Sequence, residues 1–484
     1  MSECPWKKAF ETHASEVVAA NQIPGMAFGV ARDGEILESG GVGFSDLAEE
    51  IPTDPDTVYG IGSITKSFTC LAVMQLQERG VLSVEDPVNK WLPEFRLPGD
   101  ADTEGITLHH LMTHTSGMPP LISLFHAMAR SMEDDPSVEE FRDDVSDLKA
   151  IDTYEELMDL IAELDFELLG APGECFSYSN DGYGLLGAVI ERSSEQSYSS
   201  FLQENILEPL DMQHTTLQTD KLEEFSKVTK LYASKDKQGK EMIYHSPGWW
   251  EFPAMEAAGR LLSTVNDLLK YLEVYRCLGE VDGERIASEE SIRQMMHPHV
   301  SAPYPAESHY GYGLSVQTDY HGVTLVGHGG GIKGVSADVL MAVEDDITAA
   351  TLSNLSGVPS RSVSRGAVNA LKQLPPDTPQ FDLPEYDASP EQLEKFAGSY
   401  KSGEGASFEL YTSDDELFVS MKDKTYIAEA VTEDVIRISP TGRDMVMKAL
   451  TDDEGDTWAI ASGYRIIQKV SEEETGQDCN GDEE

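Results

Sequence analysis

The chain has 484 residues, 40% of them hydrophobic, and carries 35 Lys+Arg against 87 Asp+Glu, a formal net charge of −52. That length exceeds what one hydrophobic core serves, so one large and one smaller domain are expected. The acid is spread along most of the chain, which excludes the basic stripe of a nucleic-acid binder. It points instead to a salt-rich cytoplasm, where a Debye length of about 3 Å at molar salt screens the self-repulsion.

The opening stretch, MSECPWKKAFETHASEVV, has Lys7 and Lys8 but no apolar run behind them, so no secretory signal is expected. No run of 18 apolar residues predicts a membrane span, and a cytoplasmic protein is the expectation. The five cysteines (Cys4, Cys70, Cys175, Cys277, Cys479) are scattered and unpaired in sequence, which implies neither a disulfide framework nor a zinc knuckle. Residues 6–22 read as a helix, followed by a hairpin around Asp33-Gly34. Next comes Tyr59–Thr69, YGIGSITKSFT, running into SFTCLAVMQLQERG, a helix apolar on nearly all sides and therefore buried. Ser63 and Lys66 stand at i and i+3 and share a face, in a place that lysine normally avoids. Two other SxxK matches, Ser146–Lys149 and Ser234–Lys237, lie in charged stretches and read as solvated surface. Ser63 differs because the buried helix places its backbone N–H at a positive dipole end.

Further along, HHLMTH holds His110 and His114 at a zinc-helix spacing, but Leu111 stands where HExxH has its glutamate, so a metal is not expected. Tyr178-Ser179-Asn180 precedes an apolar helix, with Asn180 placed like an N-cap. The glycines Gly329, Gly331 and Gly334 match a dinucleotide fingerprint. VSADVLMAV after them alternates as a strand rather than a helix, so nucleotide binding is rejected. The joined strands put His328 beside glycine backbone that a substrate can approach closely; a second HxG, His309-Tyr310-Gly311, reads as structural. Residues 374–390 are proline- and acid-rich and read as a linker. Six short alternating strands follow (SFELYT, ELFVSM, TYIAEAV, DVIRIS, DMVMKAL, YRIIQKV), with turns such as Ser413-Asp414-Asp415, and predict a small antiparallel barrel or sandwich. The expected division is a domain at 1–373, the linker, a β domain at 391–470 and a disordered acidic tail at 471–484.

With SxxK, YxN and HxG in this order, the chain resembles the serine β-lactamase and penicillin-binding-protein superfamily, above all its class C β-lactamase-related hydrolases. Supporting stretches include ERGVLSVEDPVNKWLPEF, ITLHHLMTHTSGMP and AAGRLLSTVNDLLKYL. The resemblance implies an α+β fold: an antiparallel sheet flanked by helices, plus a helical lobe, with the site between them. It also implies a lipocalin-like C-terminal barrel. The chain departs from the family in having His328-Gly329-Gly330 where β-lactamases carry Lys-Thr-Gly, and in the long acidic stretch before Tyr178, expected to form a helical lid. The implied roles are Ser63 as nucleophile, with Lys66 or Tyr178 as base. For Lys66, a pKa lowered by about three units costs roughly 4 kcal/mol, within what burial and a nearby cation supply. Asn180 would hold Lys66 and a substrate amide, and His328 and Gly330 would face the substrate. The N–H groups of Ser63 and Gly331 would receive the oxyanion, and Trp249, Trp250 and Ala257-Ala258-Gly259 would wall the pocket. No cofactor is called for. The expected activity is hydrolysis of a small-molecule or short-peptide amide or ester through an acyl-enzyme, and the alternatives are a β-lactamase or a non-catalytic penicillin-binding sensor. A homo-oligomer formed through the β domain is a further expectation.

Overall fold

The run Gly25–Arg32 is buried almost throughout because it is a central strand with both faces covered. It pairs on one side with Glu35–Asp46 and on the other with Ile347–Ser353, Met26 opposite Ser353. The two ends of the large unit thus meet in one sheet, as strands at both its termini require. This computed structural model describes residues 5–471, apart from 101–102, 237–240, 304, 306, 382, 422–423 and 441–443. The expected acidic tail lies, except for Ser471, outside the described residues.

The sheet has nine antiparallel strands, and its far half runs Ser315–Tyr320, Val323–Ile332, Val335–Ala342, Ile347–Ser353. Val323–Ile332 and Val335–Ala342 form a hairpin turned at Gly334 (φ 63°), with His328 opposite Val339. The glycine run therefore leads into a strand, as its sequence pattern predicts. Alternation along the strands feeds two cores. Leu325, Leu340 and Ile347 pack against Phe10, Val363 and Ala367 of the helices Pro5–Ala20 and Ser360–Leu371. Val326, Val339 and Ala350 join the larger core on the opposite face, with Phe68, Leu71 and Val265.

The helix Thr65–Glu78 lies inside that larger core and is buried from Thr65 to Leu76, which accounts for a sequence apolar on nearly every side. The acidic stretch before Tyr178 folds into helices at Ser123–Met132, Arg142–Val145 and Tyr154–Glu163, the last opened by a capping box from Thr153 and Glu156.

The proline-rich stretch is tied down at both ends. Asn369 Nδ2 donates to the carbonyl of Pro376, and the N–H of Tyr386 donates to Ala430. Beyond it eight strands close a barrel from Gly398–Lys401 to Arg465–Val470, Ser399 pairing with Val470. Closure leaves no sheet edge exposed. The six-strand expectation missed Gly398–Lys401 and Thr457–Ser462. Asp414 and Asp415 both have positive φ in the turn read from sequence. The barrel docks on the large unit: Tyr178 N–H donates to the Tyr464 carbonyl at 2.8 Å, and Ile466 N–H to Ser177 Oγ at 3.3 Å.

Candidate active site

Ser63 sits in a short 3₁₀ turn, Gly62–Ile64, which leads into the buried helix. Gly62 has φ 52°, and a Cβ there would come within 2.6 Å of the Gly331 nitrogen. Only glycine lets the serine turn and the glycine strand approach this closely. Gly330 serves the same contact, since a Cβ on it would collide with the Ile61 carbonyl at 1.9 Å.

Lys66 is fully buried. Its Nζ lies 2.8 Å from Asn180 Oδ1, 2.7 Å from the Ala258 carbonyl and 3.4 Å from Ser63 Oγ. Its ammonium is 4.7 Å from the centre of the Tyr178 ring. Burial, then the cation of Arg465, holds its pKa well below the ordinary 10.5. Tyr178 moves the other way. Burial pushes its phenol above 10, against the pull of Ser63 and Arg465, and the buried hydroxyl makes no well-aligned hydrogen bond. Asn180 is the first residue of the helix rather than its cap. Ser179 caps it, accepting from Gly182 N–H at 3.1 Å, which frees the Asn180 side chain for Lys66.

A cavity of about 200 Å³ opens over this cluster, lined by Ser63, Asn180, Ala258, Gly259, Gly331 and Ile332 together with Leu124, Met128, Trp250, Phe252 and Arg465. The acidic insertion thus reaches the site through Leu124 and Met128. Trp249 and Ala257 stand outside this wall: Trp249 borders a small neighbouring void, and the Ala257 carbonyl accepts from Thr69 Oγ1.

His328 is buried, and neither it nor Gly330, both expected to face the substrate, is among the residues that line this cavity. Its Nδ1 faces the Gly329 carbonyl, which can only accept, so that nitrogen carries the proton and Nε2 accepts from Tyr310 Oη at 2.9 Å. Burial, then Lys66, pushes its pKa down to about 3, so the ring is neutral. The residue Tyr310 of the second HxG is therefore the partner of the first. The two histidines weighed for zinc serve the backbone: His110 Nδ1 accepts from Thr107 N–H, and His114 Nδ1 from Ser179 N–H. Among the described residues no cluster could hold a metal ion. The control residues Ser146, Lys149 and Ser234 are exposed, and Lys237 lies outside the described residues.

Two groups here escaped the sequence reading. Arg465, from the barrel turn beside Tyr464, lies 4.9 Å from the centre of the Tyr178 ring and lines the cavity. It is ion-paired to Glu404, whose Oε1 accepts from Asn180 Nδ2 at 3.2 Å. Second, Lys333, just past the cavity-lining Ile332, forms a buried ion pair with Asp135 of the insertion and also donates to the carbonyls of Pro247 and Gly248. Asp135 in turn accepts from Ser137 and from Trp250 Nε1, at 2.8 Å each for the backbone and indole donors. The only signal for either in the sequence is the scarcity of base in so acidic a chain.

A serine in contact with a buried amine thus lies at the mouth of a cavity between a helix-flanked antiparallel sheet and a helical lobe. The Beta-lactamase family model matches residues 10–373, and the chain belongs to that family. Protein flp of Staphylococcus aureus (strain MW2) is 27% identical over 343 residues, 69% of this chain and 60% of that protein; the match thus spans about three fifths of that relative. The octameric penicillin-binding protein homologue from Pyrococcus abyssi is 30% identical, with a TM-score of 0.68 over 96% of this chain and 100% of that one. A D-stereospecific amidohydrolase from Streptomyces sp. is 25% identical, with a TM-score of 0.60 over 75% of this chain and 97% of that one.

Proposed function

We propose that the chain hydrolyses small D-aminoacyl amides, peptides or short-chain esters through an acyl-enzyme on Ser63. The observation that carries this is the environment of Lys66. Its pKa is lowered by burial, and in its neutral form the amine gives two N–H bonds to Asn180 Oδ1 and the Ala258 carbonyl and turns its lone pair on the Ser63 hydroxyl. Ser63 Oγ attacks the acyl carbon while its proton passes to Lys66. The oxyanion forms between the N–H groups of Ser63 and Gly331, each worth about 3 kcal/mol. Tyr178, kept protonated by burial, gives its proton to the leaving amine or alkoxide and is recharged from the Lys66 ammonium. Water then retraces the path to free the acid. This assigns Lys66 as base and Tyr178 as acid.

The cavity, at about 200 Å³, is smaller than the roughly 300–1,000 Å³ of drug-sized sites, which favours a single residue or a short acyl chain over a β-lactam with its side chain. Buried and neutral, His328 brings no charge to it. Arg465 of the barrel supplies the cation that the third motif lacks, suited to a substrate carboxylate. The barrel, lipocalin-like in this reading, thereby narrows the cleft. The octamer formed by the Pyrococcus homologue supports an oligomeric assembly, and the −52 charge supports adaptation to high salt.

The test is intact-mass measurement in molar KCl after exposure to a fluorophosphonate and a D-amino acid ester. A single adduct lost in Ser63→Ala, with hydrolysis abolished and Ser234→Ala unaffected, is expected. Full activity in Ser63→Ala would sink the acyl-enzyme. Nitrocefin turned over faster than every ester and D-aminoacyl amide would make the chain a β-lactamase instead.

A further inference from the structure

A cavity larger than the one over Ser63 lies elsewhere in the molecule. About 830 Å³ opens where the Pro5–Ala20 helix, the Ser360–Leu371 helix, the proline-rich stretch and the barrel meet. We propose that this junction binds a small organic anion, its carboxylate or phosphate head held between Arg361 and Arg365 and its apolar body against Val17, Phe381 and Val446.

The charges argue for it. Most arginines of this acidic chain hold a carboxylate at contact distance, as Arg130 does Asp152, Arg276 does Glu273 and Arg437 does Glu429. Arg361 and Arg365 do not. They stand one turn apart on the same helix face, where like charges repel. Arg361 donates to Ser315 Oγ at 3.1 Å and reaches Asp338 only at 3.8 Å. Arg365 has neutral partners, the Thr378 carbonyl at 3.3 Å and Gln380 Oε1 at 3.4 Å. Two guanidinium groups thus face one carboxyl. That carboxyl, Asp338, is fully buried and has no well-made hydrogen bond on either oxygen. Burial pushes its pKa up to about 6 despite Arg361, which weakens the one counter-charge further. At least one positive charge is left without a carboxylate at contact distance on the partly buried wall of the cavity, an arrangement that an incoming anion complements.

The shape sets the ligand class. The cavity is far larger than an inorganic ion, and its lining combines the arginine pair and the Gln380 amide with apolar side chains, as small-molecule sites do. Glu16 and Asp444, both exposed, also border it and make no ion pair with either arginine among the described residues. They disfavour polyanions and admit a compact anion with one charged head.

Isothermal titration of the full chain with phenyl phosphate and with benzoate, at fixed KCl, tests the proposal. Saturable binding of at least one probe is expected, with a matching rise in Tm. Arg361→Gln/Arg365→Gln should weaken that binding at least tenfold, Arg365→Lys should largely retain it, and Arg465→Gln should leave it unchanged, which separates this site from the one over Ser63. No saturable binding of either probe up to about 10 mM overturns the proposal. So does undiminished affinity in the double variant, or affinity lost only with Arg465. If the arginines merely brace the proline-rich stretch, their replacement lowers Tm equally with and without the probe, and that too overturns it.

Discussion

Replacing Lys333 with methionine removes one half of a buried ion pair and leaves the other half in place. Both side chains are almost wholly buried, 2% exposed for Lys333 and 3% for Asp135. Orphaning a buried charge costs about 3–5 kcal/mol. Asp135 keeps donors in Ser137 N–H, the Ser137 and Ser246 hydroxyls and the Trp250 indole, so the lower end, about 3 kcal/mol, is expected. Asp135→Asn leaves the Lys333 ammonium two carbonyls and should cost less. In the double variant no unpaired charge remains, and a cycle of urea midpoints in molar KCl should return a coupling of about 2 kcal/mol. The pH dependence adds a second reading. In the wild type burial raises the Asp135 pKa, but the bonds from Lys333, Ser137 and Trp250 outweigh it and leave the carboxyl below 3.8. A depressed carboxyl contributes stability above its unfolded value and loses it as pH falls through the folded one, so the loss is confined to below pH 3.8. Without Lys333 burial gains ground and the loss begins at higher pH. Because Lys333 adjoins Ile332 and Asp135 holds Trp250, both cavity-lining, KM should rise before kcat falls. A coupling near zero, with KM unchanged, would refute the view that this pair joins the insertion to the cavity wall.

If Lys66 is the base, kcat/KM should rise with pH through a pKa well below 10.5, and Lys66→Arg, which cannot lose its proton, should cost at least about 10³-fold; a flat profile contradicts the assignment. Arg465→Gln should raise KM about tenfold for substrates bearing a carboxylate and spare uncharged esters. It should also move the acid limb to higher pH, because Arg465 helps to depress Lys66; equal effects on both substrate types would remove Arg465 from recognition. Circular dichroism and activity should both decline as KCl falls well below molar, and a chain folded and active in dilute buffer contradicts the salt reading.

What the sequence made legible was local. Ser63 and Lys66 are three residues apart at the head of an apolar helix, and the glycine run after His328 is followed by strand alternation, so periodicity alone placed both. Two barrel strands were missed for the same reason. Thr457–Ser462 is buried at three consecutive positions, Ala459, Ile460 and Ala461, and so does not alternate, and Gly398–Lys401 is too short to alternate. Asn180 looked like a cap because Asn commonly caps, yet the adjoining Ser179 takes that role. Arg465 and Glu404 were invisible because their meaning lies in tertiary contacts: 224 residues separate Glu404 from Asn180, and no period spans such a gap. His328 was found but its environment was not legible, since burial and then Lys66, 262 residues away in sequence, lower its pKa.

The barrel turn that carries Tyr464 and Arg465 has a consequence for how the chain matures. Synthesis delivers Ser63 and Lys66 early and Arg465 some four hundred residues later, with domains generally folding in that order. Until the last hairpin docks, Tyr178 lacks the carbonyl that fixes its backbone, and Lys66 lacks Arg465, which lowers its pKa, along with that arginine's partner Glu404, which raises it. A ribosome-bound or prematurely terminated large unit would carry Ser63 in an incomplete cavity. Arrival of the final strand therefore completes the wall of the cavity over Ser63, to which Arg465 contributes, and a chain stopped short of it would lack that wall.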